Sequence, residues 1–297
     1  MVTVNDILDK LKGLARLRKR SRLDDFIIYG QTAKGSMSKV YRARDPLRNI
    51  IVAVKILDPE RAATVSKINT HYRDETEGEI AIKLRHPSLV VTYETGKLKN
   101  SEYLIMEFIE GVGLNYLVET KSDRLVGKRI TIMRQMAEAL AYMHEQGYAH
   151  RDVCPRNVMV TNEDQPKLID FGLAVPLRPE FMKPGNRTGT PSYMAPELIR
   201  RRVVDHRVDI FAYGVSFYEA FTARQPWPGG DTIAKMVQHL NVPAQDIRGL
   251  NPNMSTALCD LVRELMENNP SLRVQTMAEV VERLSDIEKK DGPDMAL

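Results

Sequence analysis

The first third of the chain is written in short apolar runs. Phe26-Ile27-Ile28-Tyr29, Lys39-Val40-Tyr41-Arg42-Ala43 and Ile50-Ile51-Val52-Ala53-Val54-Lys55-Ile56-Leu57 are rich in β-branched and aromatic residues, which suit a pleated, half-buried surface. Turn formers, Gly35-Ser36 and Asp45-Pro46, separate them. Residues 66 to 85 then read as helix, and Tyr103-Leu104-Ile105-Met106-Glu107-Phe108 as a further strand. After Gly111 the period changes. Ile130, Met133, Ala137, Leu140 and His144 recur at helical spacing, as do positions from Val208 to Phe221 and from 256 to 289. Strands first and helices afterwards predict an α+β chain in two lobes.

Residues 5 to 22 stand apart from this plan. Ile7, Leu8, Leu11, Leu14 and Leu17 form an apolar stripe, with Asn5 or Asp6 available as a cap. Lys10, Lys12, Arg16, Arg18, Lys19, Arg20 and Arg22 fill the opposite face and the exit. A basic amphipathic helix can lie on an anionic membrane surface or on a partner. Packing of the stripe on the following domain is the preferred reading, because Gly13 weakens the helix. The expected division is a basic extension over 1–24, a strand-rich lobe over 25–109, a helical lobe over 110–290 and a tail over 291–297.

Composition narrows the class. The 297 residues carry 43 Lys plus Arg against 39 Asp plus Glu, and 43% are hydrophobic. Those values suit a globular chain and argue against disorder. A net charge of +4 is too small to point to nucleic acid. The two cysteines, Cys154 and Cys259, have no metal-ligand spacing and make no disulfide framework. There is no apolar run near the roughly 18 residues that cross a bilayer, and Met1–Asp6 lacks the start of a signal peptide. The expectation is a cytoplasmic protein.

Candidate chemistry lies in short motifs. Ala33-Lys34-Gly35-Ser36-Met37-Ser38-Lys39-Val40 joins two strands with small residues that let backbone N–H groups approach phosphate oxygens; alone, it also reads as a plain hairpin turn. Val52-Ala53-Val54-Lys55 sets a fixed charge at the end of an apolar strand. His150-Arg151-Asp152-Val153-Cys154-Pro155-Arg156-Asn157 holds an Asp and an Asn five positions apart. Leu168-Ile169-Asp170-Phe171-Gly172 follows, and Ala195-Pro196-Glu197 ends 27 positions after Asp170.

Motifs in this order resemble the protein kinase family, over about residues 26 to 285. The Gly-Ser-Met-Ser loop and Val204-Asp205-His206-Arg207-Val208-Asp209-Ile210 look most like the eukaryotic-like Ser/Thr kinases of bacteria. The resemblance implies a kinase-like fold with a small β-rich lobe and a larger helical one. It implies an enzyme that uses ATP and Mg²⁺, with Mn²⁺ as an alternative, on Ser/Thr hydroxyls of a protein substrate.

Roles then follow by position. Lys55 would hold the α- and β-phosphates. Its acidic partner is open among Glu75, Glu77 and Glu79 on the residues alone; the family's spacing, nine positions before His86-Pro87, selects Glu77. Asp152 would take the substrate hydroxyl proton, and Asn157 and Asp170 would hold Mg²⁺. Ala33, Gly35, Ser36 and Ser38 would cover the phosphates. Val40, Ala53 and Met159 would touch the adenine faces, Met106 would gate the pocket behind, and the backbones of Glu107 and Ile109 would meet the adenine edge. Thr190 would touch the catalytic Asp. Arg151 would receive a phosphate carried by Thr188. Glu197 and Arg273 would form a buried ion pair, and Asp209 would hold the His150-Arg151-Asp152 backbone.

Two positions depart from the family. Ala33 and Ser38 stand where the first and third loop glycines would be. Cys154 stands where Ser/Thr kinases carry a Lys two residues after the catalytic Asp. Arg156, four residues after Asp152, is the candidate for the missing charge; its alternative is a solvent-facing side chain. The departures keep a pseudokinase scaffold as the second reading. A small-molecule phosphotransferase is disfavoured by Ala195-Pro196-Glu197 and by Arg151.

Overall fold

The computed structural model describes residues 22–34, 38–58, 75–98, 101–184, 188–227 and 232–291. The expected helix over 5–22 therefore lies almost wholly outside the described residues, as do Gly35, Ser36 and residues 66–74. The described chain divides into two compact units. One takes the residues up to Arg85 together with Val90–Ile109; the other takes His86–Leu89 and everything from Glu110.

The first unit is built on an antiparallel sheet of five strands: β1 (Ile27–Lys34), β2 (Ser38–Asp45), β3 (Ile50–Leu57), β4 (Thr92–Leu98) and β5 (Ser101–Glu107), in the order β1-β2-β3-β5-β4. Side chains alternate across a strand. Val52, Val54 and Ile56 accordingly join Leu23, Phe26, Ile28, Tyr41, Ala43, Tyr103 and Ile105 in one apolar core. Ala53 and Lys55 face the other way. In register, Val40 and Leu104 lie opposite Lys55, and Arg42 and Met106 lie opposite Ala53.

Helix α1 (Glu77–Ala81) begins at a capping box, in which Thr76 accepts from the Glu79 N–H and the Glu79 carboxylate accepts from the Thr76 N–H. Its approach to β4 depends on Gly78, because a Cβ there would lie 2.0 Å from Thr95 Oγ1. The described helix is shorter than the 66–85 expectation and leaves helical geometry after Ile82.

The second unit is mainly helical: α2 (Leu114–Glu119), α3 (Arg129–Glu145), α4 (Pro196–Ile199), α5 (Arg207–Thr222), α6 (Thr232–Asn241), α7 (Thr256–Leu265) and α8 (Met277–Asp291). Short strands β6 (Gly111–Gly113), β8 (Val158–Thr161) and β9 (Pro166–Leu168) form one small sheet; β7 (Tyr148–Ala149) pairs with β10 (Val175–Pro176). Helix α5 is apolar around its whole circumference and is buried from Val208 to Phe221 except at Glu219, which marks a central core helix. The continuous helical pattern expected from 256 to 289 is two helices. The chain leaves α7 after Leu265, passes Asn268-Asn269-Pro270 and re-enters helix at Met277. Proline lacks an N–H and clashes with the preceding turn, so it cannot sit inside one helix here.

Candidate active site

On the face of the first unit's sheet opposite that core, Lys55 Nζ lies 2.6 Å from Glu77 Oε1, and both residues are buried. The three candidate acids therefore have three different neighbours. Glu75 pairs with Lys83, Glu79 is spent on the cap, and Glu77 meets Lys55. Neighbouring N–H and cationic groups, first the Thr76 N–H, hold the Glu79 carboxyl below its ordinary value. Ala53 and Met106 are buried, whereas Val40 and Ser38 are half-buried. The Glu107 N–H donates to Val91 O at 2.9 Å, and its carboxylate accepts from the Val91 N–H at 2.8 Å. Ala33 lies opposite Val40 in the β1–β2 pairing.

In the second unit, β7 delivers the chain into a loop where Arg151 takes a left-handed φ of 67°. The loop is pinned from α5. The Asp209 carboxylate accepts from the His150 N–H and the Arg151 N–H, each at 2.7 Å, and meets His144 Nε2 at 3.0 Å. Burial alone would raise the Asp209 pKa, but the His144 imidazole and these N–H donors outweigh it and hold the group below its ordinary value. His150 is buried, accepts from the Asp152 N–H at 3.2 Å, and stands edge-on to Phe171. Burial pushes its imidazole below the ordinary histidine value.

This frame presents Asp152 with both oxygens engaged. Thr190 donates to Oδ1 from its N–H and its hydroxyl, each at 2.8 Å. Asn157 Nδ2 donates to Oδ2 at 2.8 Å and to the Asp152 carbonyl at 2.8 Å. With the Asn157 nitrogen so used, its Oδ1 is the atom suited to a cation. The Ile169 N–H donates to Asn157 O at 3.0 Å, which ties the segment carrying Asp170 to Asn157. Asp170 Oδ1 accepts from the Gly172 N–H at 2.9 Å. One carboxylate and one amide oxygen are hard donors that fit Mg²⁺, which keeps waters and phosphate oxygens as its other ligands. Among the described residues, no cluster of three or more His, Cys, Asp or Glu is placed to cage a metal.

Arg151 Nη2 donates to Thr188 Oγ1 at 2.8 Å. Between Thr188 and Thr190, Gly189 has φ +125°, and a Cβ there would lie 2.8 Å from Arg151 O; glycine is what lets the two threonines reach Arg151 and Asp152 together. Cys154 is buried, with Sγ 4.0 Å from Thr190 Oγ1, and burial followed by the Asp152 charge pushes its thiol up to about 11. It is a neutral filler rather than a reactive thiolate. Arg156 is exposed and Met159 half-buried on β8. Arg273 and Glu197 meet in two bonds of 2.8 and 3.0 Å.

Sequence reasoning missed His144 as more than a core position, and missed Gly189. Nothing local marks His144, because its partner lies 65 positions away. Gly189 could have been found, since it is a glycine flanked by two candidate threonines.

Lys55 on β3 paired with Glu77 on α1 in one unit, and in the other Asp152 held by Asn157 and Thr190, are features of the kinase type of phosphotransferase. The family model for the protein kinase domain matches residues 28–284, and the chain belongs to that family. It is 32% identical over 86% of its length to a probable serine/threonine-protein kinase of Clostridium perfringens, covering 37% of that protein. It is 31% identical to the serine/threonine-protein kinase PknB of Mycolicibacterium smegmatis and 30% identical to PknB of Mycobacterium tuberculosis, over 88% of the chain and 42% of each relative. The chain thus spans about two fifths of the length of these curated relatives. Among the described residues, no helix is long and apolar enough to cross a membrane.

Proposed function

We propose that the chain is an ATP- and Mg²⁺-dependent protein kinase that transfers the γ-phosphoryl group to serine and threonine hydroxyls of proteins, itself included. The observation that carries this reading is Asp152, oriented on one oxygen by Thr190 and on the other by Asn157, in a loop fixed by Asp209.

Phosphoryl transfer passes through a loose transition state whose charge spreads over the phosphoryl oxygens, so positioning and electrostatics supply most of the catalysis. Bound Mg²⁺ supplies positive charge to the phosphate oxygens. Asn157 Oδ1 and the Asp170 carboxylate would hold it. Lys55, steadied by Glu77, holds the α- and β-phosphates. Asp152 orients the acceptor hydroxyl and receives its proton as the oxygen bonds to the γ-phosphorus and the bond to the β-phosphate oxygen breaks. Ala53, Val40 and Met159 supply apolar contact to the adenine, Met106 borders it, and the backbones of Glu107 and Ile109 meet its edge. Ala33, Gly35, Ser36 and Ser38 cover the phosphates. The ATP requirement puts the work on the cytoplasmic side.

Thr188 is the proposed site of autophosphorylation. The Arg151 guanidinium already meets its hydroxyl, and a phosphate there would convert that bond into a charge-assisted one. The test is incubation with radiolabelled ATP and Mg²⁺, wild type beside Asp152→Asn, followed by phosphoamino-acid analysis. Phosphoserine and phosphothreonine are expected in the wild type, with a loss on the order of 10²–10⁴-fold in the variant. Equal labelling of the two proteins, or none in either, rejects the reading in favour of a scaffold.

A further inference from the structure

The sheet face that carries Lys55 also carries a second cation, Arg42 on β2. In register, Arg42 lies opposite Ala53 of β3, and Ala53 lies opposite Met106 of β5. Residues directly opposite one another share a face, so these three form one row. Phe108 follows the end of β5 by one residue, and its ring closes that row: the Arg42 guanidinium carbon lies 5.1 Å from the ring centroid.

On the other flank, β1 carries a bulge. Ile28 pairs with Ala43 and Gly30 with Arg42, so Tyr29 is an extra residue opposite Arg42. A bulge re-aims the side chain that it inserts, and the Tyr29 ring centroid lies 5.8 Å from the same guanidinium carbon. Arg42 Nε is buried and has no hydrogen-bond partner among the described residues. What holds this end of the side chain is therefore the pair of rings. Guanidinium is planar and weakly hydrated, so it stacks on aromatic faces, and the attraction grows as water is excluded.

The chain leaving β5 is thereby held at two successive residues. The Glu107 N–H donates to Val91 O, and its carboxylate accepts from the Val91 N–H. One residue later, the Phe108 ring meets Arg42. Glu107 and Ile109 flank Phe108 in the chain, and theirs are the backbones assigned to the adenine edge.

We propose that Arg42 is a positioning residue for the nucleotide: by bridging Tyr29 and Phe108 it presets the Glu107–Ile109 backbone to meet adenine. The proposal rests on the ATP reading above. Presetting the segment removes an ordering cost that binding would otherwise meet. It therefore acts on affinity and leaves the transfer step at Asp152 alone.

The test titrates ATP and adenosine into wild type, Arg42→Ala, Arg42→Lys, Phe108→Leu and the double variant Arg42→Ala with Phe108→Leu, and follows autophosphorylation at saturating ATP. Arg42→Ala and Phe108→Leu are each expected to weaken ATP binding about three- to fivefold, with labelling at saturating ATP little changed. The double variant is expected to bind no more weakly than the weaker single variant, because the two changes break one contact. Arg42→Lys keeps a cation at the rings and is expected to recover part of the loss. Adenosine has no phosphate, so its affinity is expected to fall by the same factor as that of ATP in Arg42→Ala. Equal ATP affinity in wild type and Arg42→Ala, additive losses in the double variant, or weakened ATP with adenosine unchanged overturns the proposal; the last would assign the Arg42 charge to the phosphates. A wild type that binds no ATP overturns it together with the ATP reading. ATP bound without labelling rejects phosphoryl transfer alone, and the titrations then still decide the role of Arg42.

Discussion

A buried ion pair in the first unit, Lys55–Glu77, and one in the second, Arg273–Glu197, are built differently. Lys55 meets Glu77 at 2.6 Å on a sheet face whose cross-strand neighbours are Val40 and Leu104. Arg273 meets Glu197 through two nitrogens, and its guanidinium also donates to the carbonyls of Glu267 and Arg207 and lies over the Phe211 ring. All five N–H groups of an arginine are thereby committed in a fixed fork. A lysine ammonium is a compact charge on a flexible stem, which can turn toward a second anion. The arginine pair is suited to fastening Glu197 on α4 to the segment before α8, and the lysine pair to holding something that comes and goes.

Replacing both partners by apolar residues separates the two designs. Lys55→Met with Glu77→Leu removes both members of a buried charge pair together, a change often neutral for stability; unfolding free energy is expected to stay within about 1.5 kcal/mol of wild type while phosphorylation is lost. Glu197→Leu with Arg273→Met strands buried carbonyls that the guanidinium served. The expected cost is about 3–5 kcal/mol, read by urea unfolding. Equal costs in the two double variants would erase the distinction.

How much of this was legible beforehand depends on the distance over which each feature is decided. The span of β3 and the helices α3 and α5 follow from local pattern, because β3 is one continuous run buried from Val52 to Ile56 and α5 is buried at nearly every position. The choice among Glu75, Glu77 and Glu79 was not local. Glu79 is spent on the capping box with Thr76 and Glu75 pairs with Lys83, and only an inherited spacing anticipated which acid meets Lys55. Merging α7 and α8 into one pattern ignored Pro270. The contact of His144 with Asp209 needed the packing of α3 on α5, which no window of the sequence contains.

The same network predicts a pH response in the second unit. His150 is held neutral by burial, so as pH falls through about 6.5 the unfolded chain takes up a proton that the folded chain refuses. Stability is full above that value and declines below it, by at most about 1.4 kcal/mol per pH unit from this one group. Asp209 is displaced downward, so its contribution is present above the ordinary aspartate value and is lost only in stronger acid. Urea midpoints between pH 7 and 5 are expected to fall less steeply in His150→Gln than in wild type. A slope unchanged in His150→Gln would mean the imidazole titrates alike in both states.

The smallest expected effect concerns the charge that Cys154 does not supply. A buried thiol pushed up to about 11 brings no cation to the oxygens that Asp152 serves, so any such help must come from further along the loop. Arg156 is exposed on the turn Pro155–Asn157, next in the chain to Asn157 and four residues from Asp152, near the reacting groups yet in contact with water. Solvent screening at such a position limits what one charge contributes to about 1 kcal/mol, a change of several-fold in kcat. Arg156→Ala is therefore expected to lower kcat several-fold with KM for ATP little changed, and Arg156→Lys to restore most of it, because a long-range charge does not need the guanidinium fork. High salt should narrow the gap between Arg156→Ala and wild type. If kcat is unchanged in both variants, the side chain belongs to the solvent and the loop works without a replacement for the missing lysine.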